Sequence, residues 1–221
     1  MEYRNEWKYR ISYTDLLLIR QRMRLIATPD PHAVDGRYHI RSLYFDTPTD
    51  TALREKLDGV SRREKFRIRY YNLDPTLIHL EKKSKWAGLG NKRSADISAE
   101  QVQDLLNGQL DWMKDAEPLV KELYCKMRTQ LLQPKTVVDY IREPFVFAPG
   151  NVRVTLDYDI RTSGNCKDFL CGDCLTLPTE PGYLMEVKWD EFLPDIIRDA
   201  IALDHRRAEA FSKYAQCRMY G

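Results

Sequence analysis

Lys8, Arg67, Arg69, Glu81, Lys83, Arg153, Asp157, Glu186 and Lys188, together with Glu6, recur at alternating positions in short segments of the chain. Many are spaced by two, so pairs such as Arg67 and Arg69, or Glu186 and Lys188, would project from one face of an extended strand. Guanidinium groups offer fork-like donors to phosphate oxygens, and ammonium groups offer compact charges. Carboxylates alone would repel phosphate. They make sense as ligands of a hard divalent cation that bridges carboxylate and phosphate oxygens, or as clamps on basic neighbours. Charged strand faces are also common as plain solvated or salt-bridged surface, so the pattern alone leaves both readings open.

Strands are needed to hold these positions. Residues 6–11 alternate, with Glu6, Lys8 and Arg10 opposite Trp7, Tyr9 and Ile11. Residues 38–46 and 63–71 read as further strands. In the second, Phe66, Ile68 and Tyr70 oppose Arg67, Arg69 and Tyr71. A turn at 72–75 leads into a hairpin partner over 77–83 that presents His79, Glu81 and Lys83. Residues 136–141 form a strand expected to end before Pro144. Residues 151–161 alternate throughout, Val152, Val154, Leu156, Tyr158 and Ile160 against Arg153, Thr155, Asp157, Asp159 and Arg161. Residues 183–189 set Glu186 and Lys188 against Met185, Val187 and Trp189. Helices are expected over 14–26, 98–106, 117–132 and 194–203, with helical turns at 50–57 and a further helix or turn over 206–213. A basic, glycine-containing loop covers 85–93, and a hairpin-like region covers 168–177.

Strands with both faces committed imply an α+β architecture. The expectation is a single domain over 1–221, a closed antiparallel β-barrel tunnel whose apolar side packs against outer helices and whose charged side lines the lumen. Such a lumen must be wet, because burying several unpaired cations costs too much. Net charge is only +2, from 35 basic and 33 acidic residues, which argues against nucleic-acid binding by bulk charge. No apolar run approaches the roughly 20 residues that span a bilayer, and the charged opening residues do not resemble a signal segment. A cytoplasmic protein is expected, with peripheral attachment to the inner face of a membrane left open. Five cysteines, an odd number, do not form a secreted disulfide framework.

Collinear blocks resemble a known family. They are Glu6, Lys8 and Tyr9; Ser42-Leu43-Tyr44-Phe45-Asp46; Arg67-Ile68-Arg69-Tyr70-Tyr71; Leu80-Glu81-Lys82-Lys83; Lys92-Arg93; Tyr140-Ile141-Arg142 with Phe145; Val152-Arg153-Val154-Thr155 with Asp157; Leu184-Met185-Glu186-Val187-Lys188; and Phe211-Ser212-Lys213-Tyr214. The chain resembles the VTC domain, the polyphosphate polymerase domain of the vacuolar transporter chaperone complex, in the triphosphate tunnel metalloenzyme superfamily, and is most similar to stand-alone bacterial forms. The resemblance implies transfer of the ATP γ-phosphate to a growing polyphosphate chain, or to pyrophosphate, with release of ADP and help from manganese or magnesium. It implies phosphate binding by Lys8, Arg67, Arg69, Lys83, Lys92, Arg142, Arg153, Ser212 and Lys213. Lys8, Arg67, Arg69, Lys83, Arg142, Arg153 and Lys188 would support the transfer, and Glu186 would hold the metal. Glu6, Glu81 and Asp157 are further candidate metal ligands, and the part of Asp159 is left open. Transfer of this kind needs alignment and charge neutralisation more than a covalent nucleophile. The regulatory domain and membrane segments of the eukaryotic complex have no counterpart in this sequence, so export of product would need a separate membrane partner. Hydrolysis of triphosphate or polyphosphate on the same scaffold, and polyphosphate binding without catalysis, are the alternatives.

Other residues invite chemistry less strongly. Arg54 and Lys56 follow the strand ending at Asp46 and could serve a tunnel mouth, Arg54 being the better candidate. Cys171-x-x-Cys174 with Cys166 has zinc-ligand spacing but lacks a second two-cysteine arm; a reduced surface hairpin is the plainer reading. His79 could shuttle a proton beside Glu81, or simply pack near a tunnel end. His205 reads as structural or exposed. Arg20, Arg22 and Arg24 read by default as a solvated helix face.

Overall fold

The computed structural model describes residues 4–86, 89–180 and 182–220. Ten strands form one sheet: β1 (Asn5–Ile11), β2 (Thr28–Pro29), β3 (Tyr38–Asp46), β4 (Arg63–Tyr71), β5 (Asp74–Trp86), β6 (Leu89–Ile97), β7 (Gln133–Phe147), β8 (Val152–Ser163), β9 (Leu177–Pro178) and β10 (Tyr183–Trp189). The α-helices are α1 (Tyr13–Ile26), α2 (Thr51–Leu57), α3 (Ala99–Leu106), α4 (Pro118–Thr129), α5 (Asp195–Ile201) and α6 (Lys213–Tyr220). The strand order is β1-β10-β8-β7-β3-β4-β5-β6, with β2 beside β7 and β9 beside β8, and the pairs are antiparallel.

The closed barrel expected from the sequence does not form. β1 and β6 are the two ends of the strand order and do not pair with each other. The sheet curls instead into an open trough. Side chains from its two halves meet across the hollow, where Lys83 on β5 lies 3.9 Å from Glu6 on β1. Lys8 and Lys188 also crowd Lys83, and Lys8 and Lys85 crowd Lys56.

The outer face is apolar and carries most of the helices. Leu43, Phe45, Phe66, Ile68, Ile78 and Leu80 pack with Val102 and Leu105 of α3 and with Leu119, Val120 and Leu123 of α4. Val154, Leu156, Met185, Val187 and Trp189 pack with Leu16, Ile19 and Met23 of α1 and with Ile197 and Ile201 of α5. Ser12 caps α1 in a reciprocal box with Asp15, and Ser98 does the same for α3 with Gln101. α6 breaks the expected helices-outside plan. Its Tyr214 and Cys217 pack on the inner face with Tyr44, Val138, Tyr140 and Ile160. The segment before it, expected to be helical, runs without regular structure up to Ser212.

Local departures have physical causes. β7 continues through Pro144 because β3 pairs only up to Arg142 and β2 only from Phe145. The missing N–H of Pro144 therefore falls in a gap between neighbours. The basic segment 85–93 belongs to the hairpin of β5 and β6 on either side of residues 87–88, which lie outside the described residues. The alternation of β8 breaks at a bulge, where Asp159 takes a left-handed backbone (φ 48). The bulge sends Ile160 into the inner cluster and leaves Asp159 exposed beside Arg161.

Buried Asp46 braces β3, α2 and α6 together. Its carboxylate accepts from the N–H groups of Thr47, Ala52 and Leu53 at 2.8, 2.8 and 3.0 Å and from the Tyr214 hydroxyl. The residue before α2, Asp50, supplies no side-chain cap, so Asp46 does that work from a distance. Asp46→Ala strands these donors and is expected to cost about 3 kcal/mol of unfolding free energy. Urea denaturation checks this, and a loss under about 0.5 kcal/mol would remove Asp46 as the brace.

Candidate anion-binding site

Register puts the charged side chains of neighbouring strands on one concave surface. Arg67 stands opposite Glu81 and Tyr44, Arg69 opposite His79 and Ser42, Lys65 opposite Lys83, and Lys83 opposite Lys92. In the other half, Lys8 faces Glu186, Glu6 faces Lys188, Lys188 faces Arg153, and Arg142 faces Asp157. Lys213, from the first turn of α6, reaches into the same hollow.

Four carboxylates on this surface each hold at least two cations. Asp157 is completely buried and takes Arg142 on both oxygens at 2.7 Å, with Lys213 at 2.5 Å. Glu81 takes Arg67 at 2.6 Å and Lys92 at 2.5 Å. Glu186 is 2.6 Å from Lys188 and 3.6 Å from Lys8. Glu6 lies 3.4 Å from Lys8 and 3.6 Å from Lys188. Burial alone would raise the pKa of Glu186, but Lys188, Lys8, Arg142 and Lys213 hold it well below the usual carboxylate range. Burial likewise opposes ionisation of Glu81, and Arg67, Arg69 and Lys92 overcome it.

Cations outnumber these clamps. Arg69 is only 5% exposed and, among the described residues, has no carboxylate within 4.0 Å; its donors go to the hydroxyls of Ser42 at 2.9 Å and Tyr140 at 3.1 Å. The Tyr140 ring is flanked by Lys213 at 4.6 Å, Arg142 at 5.5 Å and Arg69 at 5.9 Å. Lys65 lies 3.3 Å from the Ser212 hydroxyl and 5.0 Å from the Tyr214 ring centre. Burial pushes its pKa down to about 8, aided by Lys56 and Arg63. Burial opposes ionisation of the Tyr44 phenol, yet Arg67, Arg69 and Lys65 bring it down to about 8. A buried phenol that ionises more readily than in water reports a strongly positive hollow.

Some sequence candidates stand apart from this centre. Arg153 is on the right face but is tied to Asp30 at 2.7 Å. Arg54 is exposed on α2, while Lys56 shares the field of Lys8, Arg63 and Lys85. His79 bonds Asp96 at 2.7 Å. Arg20 is no solvated residue: it makes a bidentate pair with Glu143 at 2.7 and 2.8 Å. Lys65 was legible in retrospect, since 65, 67 and 69 share one strand phase. Arg41 was not. It is buried on the outer face, bonded to Asp139 and to the Cys171 carbonyl.

The metal candidates divide. Glu6 and Glu186 share the ammonium groups of Lys8 and Lys188 and so lie together, whereas Glu81 and Asp157 are each held by an arginine as well as a lysine. Among the described residues no three His, Cys, Asp or Glu side chains gather as a ready-made metal cage, around the cysteines or elsewhere. Two carboxylates nonetheless suit magnesium or manganese, which are commonly held by one or two carboxylates and complete their shells with substrate phosphates and water. The donor set of Glu6 and Glu186 therefore fits such an ion together with a phosphate ligand.

A family model described as the VTC domain matches residues 3–220. The chain belongs to the VTC domain family. No curated protein sequence matches it. Among solved structures, the chain is similar to the PH1819 protein of Pyrococcus horikoshii, with 14% identity, a TM-score of 0.51, and coverage of 99% of each chain. The PH1012 protein of the same organism is similar at 13% identity and a TM-score of 0.52, covering 98% of this chain and 99% of that one. A Bacillus halodurans protein named as a candidate adenylate cyclase is similar at 15% identity and a TM-score of 0.51, covering 85% of this chain and 80% of that one. At such identities the likeness shows the fold alone. Among the described residues, no helix of this VTC domain is long and apolar enough to cross a membrane.

The positive field sets a pH dependence. Folded-state values near 8 for Tyr44 and Lys65 lie below their ordinary values of 10.0 and 10.5. Between pH 8 and 10 the unfolded chain then holds more protons at these groups, so their contribution to stability rises with pH. Wild type compared with Tyr44→Phe/Lys65→Met by denaturant melts at pH 7.5 and 9.5 is expected to gain over the variant at the higher pH. No relative gain would contradict the shifted values.

Proposed function

We propose that this VTC domain binds polyphosphate along the trough and extends it by taking the γ-phosphate of ATP, with a divalent metal at Glu6 and Glu186. One observation carries the reading: strands β1, β4, β5, β6, β7 and β10, and helix α6, all send cations into one hollow where carboxylates are too few to neutralise them. A linear polyanion is the ligand that matches such a surface.

Held phosphates would meet fixed donors. Arg69 is locked by two hydroxyls and Arg142 by a bidentate carboxylate, so neither needs to reorganise as charge moves from the leaving group to the attacking phosphate. Lys8 and Lys188 flank Glu186 and would neutralise oxygens beside it. A bound magnesium or manganese ion would supply further charge neutralisation there. The four trough carboxylates are engaged with cations, which favours a site that aligns and neutralises phosphates over one that deprotonates water. The polyphosphate end would act as the nucleophile, and no covalent enzyme intermediate is required.

Incubation with ATP, manganese and a short primer, followed by gel or phosphorus resonance analysis, tests this directly. Growth of acid-labile chains with ADP is the expected result. Orthophosphate release without polymer would instead mark a hydrolase, and tight polymer binding without nucleotide turnover a binding subunit. Glu186→Gln is expected to lower turnover at least tenfold while tripolyphosphate affinity stays within about threefold. Arg69→Met is expected to weaken tripolyphosphate binding by about tenfold or more. Unchanged turnover in the first variant, or unchanged binding in the second, would remove that residue from its role.

A further inference from the structure

Three cysteines that the trough leaves unused share one loop, between β8 and β9 on the outer face of the sheet. Its first half is anchored by Phe169, which is fully buried with its ring 5.1 Å from that of Tyr70. The Phe169 carbonyl accepts from the Tyr70 hydroxyl at 2.8 Å, and Cys166 and Leu170 pack on the same apolar cluster. Buried Arg41 holds the next stretch, donating to the Cys171 carbonyl at 2.5 Å and to Asp139 at 2.9 Å. Cys171 then opens a turn through Gly172 and Asp173, closed where the Cys174 N–H donates to the Cys171 carbonyl at 3.3 Å.

A β-turn keeps its first and fourth Cα atoms within about 7 Å. A disulfide joins Cα atoms about 4.4–6.8 Å apart, so the backbone at Cys171 and Cys174 suits one. The two thiols differ in access: Cys171 is exposed, whereas Cys174 is 8% exposed. Burial raises the Cys174 thiol against the pull of Arg41. The turn offsets this by keeping Cys171 at high local concentration beside it. Cys166 is the other thiol near Cys174, but burial, with Cys174 second, pushes it up to about 11. A thiol held so firmly protonated is a poor nucleophile.

We infer that Cys171 and Cys174 form a redox-modification site that a low-molecular-weight disulfide, R–S–S–R, oxidises to an intramolecular disulfide. The Cys171 thiolate attacks one sulfur of the small disulfide, whose S–S bond breaks. A mixed disulfide forms and R–S⁻ leaves. The Cys174 thiolate then attacks the Cys171 sulfur, closes the internal bond and expels the second R–S⁻. The two protons lost by the cysteines end on the two leaving thiolates, so two protein thiols are oxidised and one small disulfide is reduced. Arg41 already holds the turn by the Cys171 carbonyl, so the bond pins the loop where it lies. Arg41 directly precedes Ser42, whose hydroxyl holds Arg69 on the opposite face, so the pinned loop backs the trough.

The full chain is incubated with oxidised glutathione and read by intact mass and tryptic mapping without reductant. Cleavage after Lys167 keeps a Cys171–Cys174 bond within one peptide, whereas a bond to Cys166 joins two. Wild type is expected to lose two hydrogens from the peptide that holds Cys171 and Cys174, and dithiothreitol to restore them. Cys174→Ser is expected to retain one glutathionyl group on Cys171, Cys171→Ser to form no disulfide, and Cys166→Ser to behave as wild type. Hydrogen exchange over residues 169–176 is expected to slow at least about threefold on oxidation. Thermal melts check folding, and should Cys174→Ser not fold, the wild-type map and the exposed Cys171→Ser variant decide. An unchanged wild-type mass, a linkage through Cys125, Cys166 or Cys217, or unchanged exchange in the loop would overturn the site.

Discussion

Mutual repulsion among cations on one concave surface is the constraint that the rest of the structure answers. The sheet does not dilute these charges. It lines them up by register, strand after strand, and spends its few inner carboxylates as clamps between pairs of cations. A buried charge is tolerable when it is paired and hydrogen-bonded. Asp157 meets that condition for Arg142 and Lys213, and Glu81 meets it for Arg67 and Lys92. Arg69 is the exception, buried against hydroxyl groups and over a shared aromatic ring. The field that remains after clamping is still strong enough to lower the pKa of the Tyr44 phenol to about 8.

That surface needs a rigid support, and the outer layer provides it. Apolar side chains that alternate with the charged ones pack under α1, α3, α4 and α5. The inner helix α6 has a different task. It is anchored through Tyr214 to Asp46 and through Lys213 to Asp157, so a helix packs onto the inner face with its own contacts among the trough's charges. Stability and the charge arrangement of the trough are therefore coupled through the same residues.

Much of this was legible along the chain. Period-two alternation located the principal strands, and it sorted Phe66, Ile68 and Tyr70 from Arg67 and Arg69 correctly. The blocks around Lys8, Arg67, Lys83, Arg142 and Glu186 pointed to a VTC domain, which the family match over residues 3–220 shows. Alternation misled where the backbone departed from the regular pleat. The left-handed residue at Asp159 shifts the phase of β8, so Asp159 and Arg161 leave the face that carries Asp157. Pro144 misled in the opposite direction, since a proline can sit inside a strand where a neighbour is missing.

The sequence by itself determined which side chains share a strand face, because that depends only on local backbone geometry. It therefore determined the chemistry on offer: guanidinium, ammonium and carboxylate groups in fixed alternation. Only the tertiary structure decided how those groups are shared out. Whether Glu81 and Asp157 are free for a metal or already bound by arginine depends on which strands become neighbours and where α6 docks. Whether the sheet closes depends on whether β1 and β6, the two ends of the strand order, become neighbours, and they do not. Both are long-range outcomes, and alternation within a single strand carries no information about them.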